Sequence, residues 1–202
     1  AGVDVAVLGV PFGLATTNRS GTRLGPRGIR TASASLAWEN QVQGWDFSPL
    51  EELAIVDYGD CPFDAGTPEK VPEQIYQQAK AILATDTALL SMGGDHFVSY
   101  PLLRAHAEKY GPLALIHFDA HSDTWEDDGE RIDHGTMFYH ATKQGLVVPE
   151  HSAQIGLRTY NESTMGFNIF DGPTVHEQGA AAIAQQVKSI VGDRPCYLTF
   201  DI

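Results

Sequence analysis

Seven short apolar runs, each bounded by Gly, Pro or Asp and separated by helical patterns, constrain this chain more than any other feature. They are Val3–Val10, Leu53–Tyr58, Thr87–Met92, Leu113–Phe118, Ala153–Leu157, Phe167–Phe170 and Cys196–Phe200. Several are near-continuously apolar rather than alternating, as expected of strands covered on both faces. Between them, Pro26 after Gly25 opens a helical stretch through Ile29, Ala32 and Leu36. From Pro68 onward, Ile75, Ala79, Ile82 and Leu83 share one helical face. Leu102, Leu103, Ala105 and Ala107 mark a third helix, and Ala180 to Val191 a fourth, stopped by Gly192. Strands alternating with helices of this length predict crossover units and a mainly parallel sheet with helices on both faces. In such a sheet, ligands bind beyond the carboxyl ends of the strands.

The residues at those ends carry chemistry. Gly93-Gly94-Asp95-His96 follows the third run, Asp119-Ala120-His121-Ser122-Asp123 the fourth, and Asp201 the last. In an extended backbone, side chains at every second position share a face, so Asp119, His121 and Asp123 are expected to converge. A lone polar loop of this kind is as well explained by Asp side chains binding backbone amides. Three strands delivering His and Asp to one edge favour a metal site instead. His96, Asp119, His121, Asp123 and Asp201 make five candidate ligands without a thiolate, which suits manganese or a similar divalent ion better than zinc. Five or six such ligands commonly hold two ions, with carboxylates shared between them. Asp133-His134-Gly135-Thr136 adds a histidine suited to proton transfer, which a surface or capping role explains as well when the motif is taken alone. No G-x-G-x-x-G pattern or Walker-type lysine accompanies the paired glycines, so a nucleotide site has little support.

Composition narrows the partners. Of 202 residues, 43% are apolar, enough for one sizeable core. Twenty-six acidic against thirteen basic residues leave a net charge of −13, which disfavours nucleic acid and anionic membranes. Only Cys61 and Cys196 are present, Cys196 read as a buried small hydrophobe, and a reducing cytoplasm is the expected setting. No apolar run is long enough to span a bilayer. Residue 1 is Ala, and strand-like runs stand against both ends, so a segment of a longer protein is expected.

Together these motifs resemble the arginase–agmatinase family, the ureohydrolases. The resemblance runs through Gly9-Val10-Pro11-Phe12, Gly21-Thr22-Arg23-Leu24-Gly25-Pro26, Ile29-Arg30, Gly93-Gly94-Asp95-His96, Phe118 to Asp123, His134-Gly135-Thr136, Gly156-Leu157-Arg158 and Phe200-Asp201-Ile202. The run Asp133 to Tyr139, and Phe97 after His96, are similar to the bacterial agmatinase branch. The resemblance implies a single three-layer α/β/α ureohydrolase domain over 1–202, truncated at both ends and incomplete at the C-terminal end of its sheet. It implies two manganese ions bridged by a hydroxide, with His96 and Asp123 on one ion, His121 on the other, and Asp119 and Asp201 touching both. His134 matches the position credited with proton transfer.

The family pattern continues Asp-x-Asp, which places a further ligand one residue past Ile202, and a guanidinium-clamping glutamate later still. The 202-residue segment alone is therefore expected to be inactive. The implied reaction is hydrolysis of a guanidino group, agmatine to putrescine and urea, by a homo-oligomer, a trimer or hexamer. The acidic run Glu126, Asp127, Asp128, Glu130 and Asp133, against Arg131 alone, would repel a distal carboxylate and attract a cationic guanidino substrate. A solvated loop without a role in selectivity explains that run too. Guanidinobutyrate, arginine or formiminoglutamate as substrate, and an inactive ureohydrolase-like subunit, are the competing readings.

Overall fold

A computed structural model describes residues 2–38, 42–127 and 133–202. The chain divides into two compact units, Ala1–Val98 and Ser99–Ile202.

In the first unit, β1 (Val5–Val10) lies between β2 (Ile55–Asp60) and β3 (Ala88–Gly93), all parallel. Ala6, Leu8 and Val10 of β1 are buried, as the near-continuous apolar run requires. The helix α1 (Gly25–Ala32) packs against β1 and β3, α2 (Pro49–Glu52) is a single turn before β2, and α3 (Val71–Leu83) packs against β3. The 3.6-residue spacing expected for α3 holds, since Ile75, Ala79, Ile82 and Leu83 are all buried. It fails for α1. Ile29 and Leu36 are exposed, and the segment passes at Ser33 into a 3-10 turn. What fastens α1 is charge: the Arg30 guanidinium grips Asp57 Oδ2 at 2.7 Å and Oδ1 at 2.9 Å, and also bonds Asp60. That pairing holds the Asp57 carboxyl below its ordinary range.

In the second unit, α4 (Ser99–Tyr110) leads to β4 (Ala114–Phe118), α5 (Met137–Lys143), β5 (Ala153–Leu157), β6 (Asn168–Asp171), α6 (Gly172–Val191) and β7 (Cys196–Phe200). The sheet order is β6-β5-β4-β7, again all parallel. Strand alternation sorts its two faces. Ala114, Ala153, Ile155 and Phe170 form a core with Ile183, Val187 and Val191 of α6. The opposite face carries His117, whose ring meets Phe138 of α5, and Tyr197, whose ring meets His106 of α4. Helices thus cover both faces of this sheet, as the alternation predicts.

One expectation needs correcting, and two elements were not foreseen. Cys196 is exposed rather than buried: it lies on the edge strand β7, and although it shares the face of its β4 partner Ala114, it stands outside the core that Ala114 forms with α6. The helix expected over Ala180–Val191 is present, but a further helical segment from Gly172 precedes it, and the two meet at Gly179, whose φ 77° and ψ 157° are not helical. Asp171 caps that earlier segment, accepting a hydrogen bond from Thr174 N–H at 2.8 Å. The helix α5 was not anticipated, since its seven residues are too few to show a period. Among the described residues, no helix is long and apolar enough to cross a membrane.

Candidate metal centre

The candidate residues stand at the carboxyl ends of strands, as expected. Register explains the placement in the second unit. Phe118 of β4 sits opposite Phe200 of β7, so the next residues, Asp119 and Asp201, leave the sheet side by side. Asp201 N–H donates to Phe118 O at 2.9 Å, and Asp119 N–H donates to Ile155 O of β5 at 3.1 Å. Asp119 is buried, whereas Asp201 is exposed.

Past Asp119 the backbone is not a strand, and the simple alternation argument fails. Asp123 adopts φ 51°, a left-handed conformation that Asp tolerates better than most residues. The turn buries its side chain, and its carbonyl accepts Phe138 N–H from α5 at 3.0 Å. His121 keeps 59% of its side chain exposed, with Nδ1 3.1 Å from Asp119 Oδ1. Asp119 and Asp123 nevertheless converge, with His117 rather than the expected His121 as the imidazole. One ring nitrogen of His117 and one carboxylate oxygen each of Asp119 and Asp123 lie within 4.8 Å of one another. Two buried carboxylates at that distance repel, and a divalent cation is the simplest charge that reconciles them. Their oxygen and imidazole donors fit a hard or borderline ion rather than a thiolate-loving one.

His117 was missed, although a histidine inside the apolar run Ala114-Leu115-Ile116-His117-Phe118 was the available signal. It is fully buried, with Nε2 2.9 Å from Asp119 Oδ2 and Nδ1 3.1 Å from Gln154 Nε2. Asn161 ties the loop from the other side, donating to Ser122 Oγ and Thr124 Oγ1 while its Oδ1 accepts Ser163 N–H. His134 lies in the turn before α5, whose geometry Asp133 sets by accepting Gly135 N–H at 3.0 Å. Of the acidic run, Glu126, Asp127 and Asp133 are described, while Asp128, Glu130 and Arg131 lie outside the described residues.

In the first unit, His96 opens a one-turn 3-10 helix directly after β3. Asp95 builds that turn. Its Oδ1 accepts Phe97 N–H at 3.0 Å and its Oδ2 accepts Ala15 N–H at 3.1 Å. Gly94 is required there, because a Cβ would fall 2.4 Å from Phe12 O.

These features define an α/β protein of parallel sheets whose strand tips carry an Asp- and His-rich candidate metal centre. The profile of the arginase family matches residues 3–202, and the chain belongs to that family. It is 54% identical to an agmatinase of Chromobacterium violaceum, over all of this chain and 63% of that protein. It is 47% identical to an agmatinase of Proteus mirabilis, over 98% of this chain and 65% of that protein. A crystal structure of a hypothetical agmatinase from Burkholderia thailandensis superposes with a TM-score of 0.96 at 55% identity, covering 99% of this chain and 63% of that one. The chain therefore spans a little under two thirds of these relatives.

Proposed function

We propose that this chain belongs to a manganese-dependent ureohydrolase that cleaves agmatine to putrescine and urea. The observation that carries the reading is the buried pair Asp119 and Asp123 at the tip of β4, in a chain 47% and 54% identical to proteins named agmatinase. On the family resemblance, His96, Asp119, His121, Asp123 and Asp201 would hold two manganese ions. Such ions, when bound, would lower the pKa of water to about 7 and so supply a nucleophile at neutral pH.

The chain's own residues do the rest. The Asp123 carboxylate accepts a hydrogen bond from the attacking water and aims its oxygen at the guanidinium carbon. Asp119 and Asp201 place negative charge beside the cation and favour its approach. As the carbon–nitrogen bond to the alkyl chain breaks, the leaving amine needs a proton, which His134 relays from solvent. Glu126, Asp127 and Asp133 favour a substrate cationic at its far end over one ending in a carboxylate. A homo-oligomer, trimer or hexamer, in the cytoplasm completes the reading.

The test is urea release by the full-length protein of which this segment is read as a part, from agmatine, arginine and guanidinobutyrate, alongside manganese content. Agmatine is expected to be turned over fastest, with two ions per chain. His121→Ala is expected to lose one ion and nearly all turnover. Preference for guanidinobutyrate would overturn the substrate, and a metal-free chain without turnover would overturn the enzyme.

A further inference from the structure

Ser122, Gln154 and His117 form a buried relay of hydrogen bonds that ends on Asp119, and its polarity can be read from one end. The Ser122 carbonyl oxygen can only accept. It lies 2.6 Å from Gln154 Nε2, so the amide must turn its nitrogen there, since the reversed amide would set two carbonyl oxygens against each other. The other face of the same nitrogen is 3.1 Å from His117 Nδ1. Gln154 Oε1, meanwhile, is buried with no hydrogen-bond partner among the described residues, so the amide is oriented by what its nitrogen does. An N–H pointing at Nδ1 requires a lone pair on Nδ1. The ring proton then sits on Nε2, 2.9 Å from Asp119 Oδ2.

We infer that His117 is a positioning residue: locked by Gln154 as the Nε2–H tautomer, it holds the Asp119 carboxylate in the orientation in which it binds metal. Asp119 is then fixed at both oxygens, Oδ2 by His117 and Oδ1 by the backbone N–H of His121 at 2.8 Å. A carboxylate free to rotate about its Cβ–Cγ bond would meet a metal in many orientations, whereas one held at both oxygens meets it in one. His117 could instead be read as a ligand, because its ring nitrogen falls within the cluster. The two hydrogen bonds argue otherwise, since they engage both of its nitrogens. The inference rests on Asp119 being a metal ligand, as proposed above.

Two measurements on the full chain test it. Nitrogen-15 NMR of histidine-labelled, metal-free protein, with His117→Gln to assign the signal, is expected to show Nδ1 unprotonated and Nε2 protonated. Manganese titration is expected to show binding weakened roughly 10- to 100-fold by His117→Phe, the range typical of lost outer-shell partners. His117→Gln, whose amide can still donate to Asp119, should recover most of that loss. Gln154→Leu should release the lock and mix the two tautomers.

A protonated Nδ1 in the parent, or parental manganese affinity in a folded His117→Phe, would overturn the inference while leaving the metal centre standing. Loss of metal from His117→Gln as complete as from His117→Phe would overturn it too, by making His117 itself a ligand. Where His117→Phe does not fold, the parent's tautomer and the Gln154→Leu spectrum still decide. A parent chain that takes up no manganese would overturn the centre itself.

Discussion

At Asp123, backbone and side chain make separate demands on one residue. Its φ of 51° costs most residues roughly 1 kcal/mol or more, and Asn and Asp rather less, because a short polar side chain can bond locally. Its carboxylate is buried within the cluster of His117 and Asp119. Asparagine meets the backbone demand but not the charge, and alanine meets neither. Metal-free Asp123→Asn is therefore expected to be more stable than Asp123→Ala by about 0.5–1 kcal/mol in urea unfolding, while both lose manganese affinity. Equal stability of the two variants would show that the left-handed turn is not strained. Full manganese binding by Asp123→Asn would remove this carboxylate from the centre. Asp95, by contrast, is a polar residue whose two oxygens serve backbone amides, and nothing in its chemistry calls for a metal.

Single elements depend on features of very different visibility. Gly94 (φ 32°) and Gly111 (φ 81°) both adopt backbone that disfavours side chains, but only Gly94 has carbonyl oxygens of Val10 and Phe12 within 2.5 Å of where a Cβ would stand. Gly111→Ala should cost about 1 kcal/mol from backbone strain alone. Gly94→Ala must also displace the β1 terminus, and is expected to cost upward of about 3 kcal/mol in chemical denaturation. Similar costs would mean the loop gives way freely.

Between β7 and α4, burial pushes the Tyr197 phenol up to about 12. The fold therefore favours the neutral phenol. Stability is complete below the unfolded value of about 10 and erodes as pH rises from there toward about 12. Tyr197→Phe should lose less stability than the parent over that window. Parallel pH profiles of the unfolding midpoint would refute a buried phenol.

The seven strands among the described residues and the helical face of α3 were legible, because period and apolar run length survive in a single sequence. The kink at Gly179, the short α5 and the 3-10 turn after α1 were not, since a break in a helix or a span of seven residues or fewer leaves no period to read. At the site, Asp119 and Asp123 could be picked out by residue type. His117 could not be assigned a role, because that depends on Gln154 from a neighbouring strand, thirty-seven residues away.

For the whole molecule, the site's electrostatics couple metal binding to folding. The chain carries a net charge of −13, and Asp119 and Asp123 hold carboxylate oxygens buried and within 4.8 Å of each other. Two unit charges at that distance repel by about 3.5 kcal/mol at an effective dielectric near 20. Hydrogen bonds from His117 and the His121 backbone offset part of this in the metal-free protein. A bound divalent cation would turn the remainder into attraction, and by mass action it stabilises the folded state by about 2.7 kcal/mol at a hundred times its Kd. Asp119→Asn separates the two effects. Without metal, removing one charge relieves the repulsion, so the variant is expected to match or exceed the parent's thermal midpoint in EDTA. With excess manganese, the parent's midpoint should rise by several degrees while the variant's stays nearly fixed. Equal rises for parent and variant would place the stabilising ion away from Asp119. A variant that is less stable in EDTA would show that the carboxylate's hydrogen bonds outweigh its repulsion with Asp123.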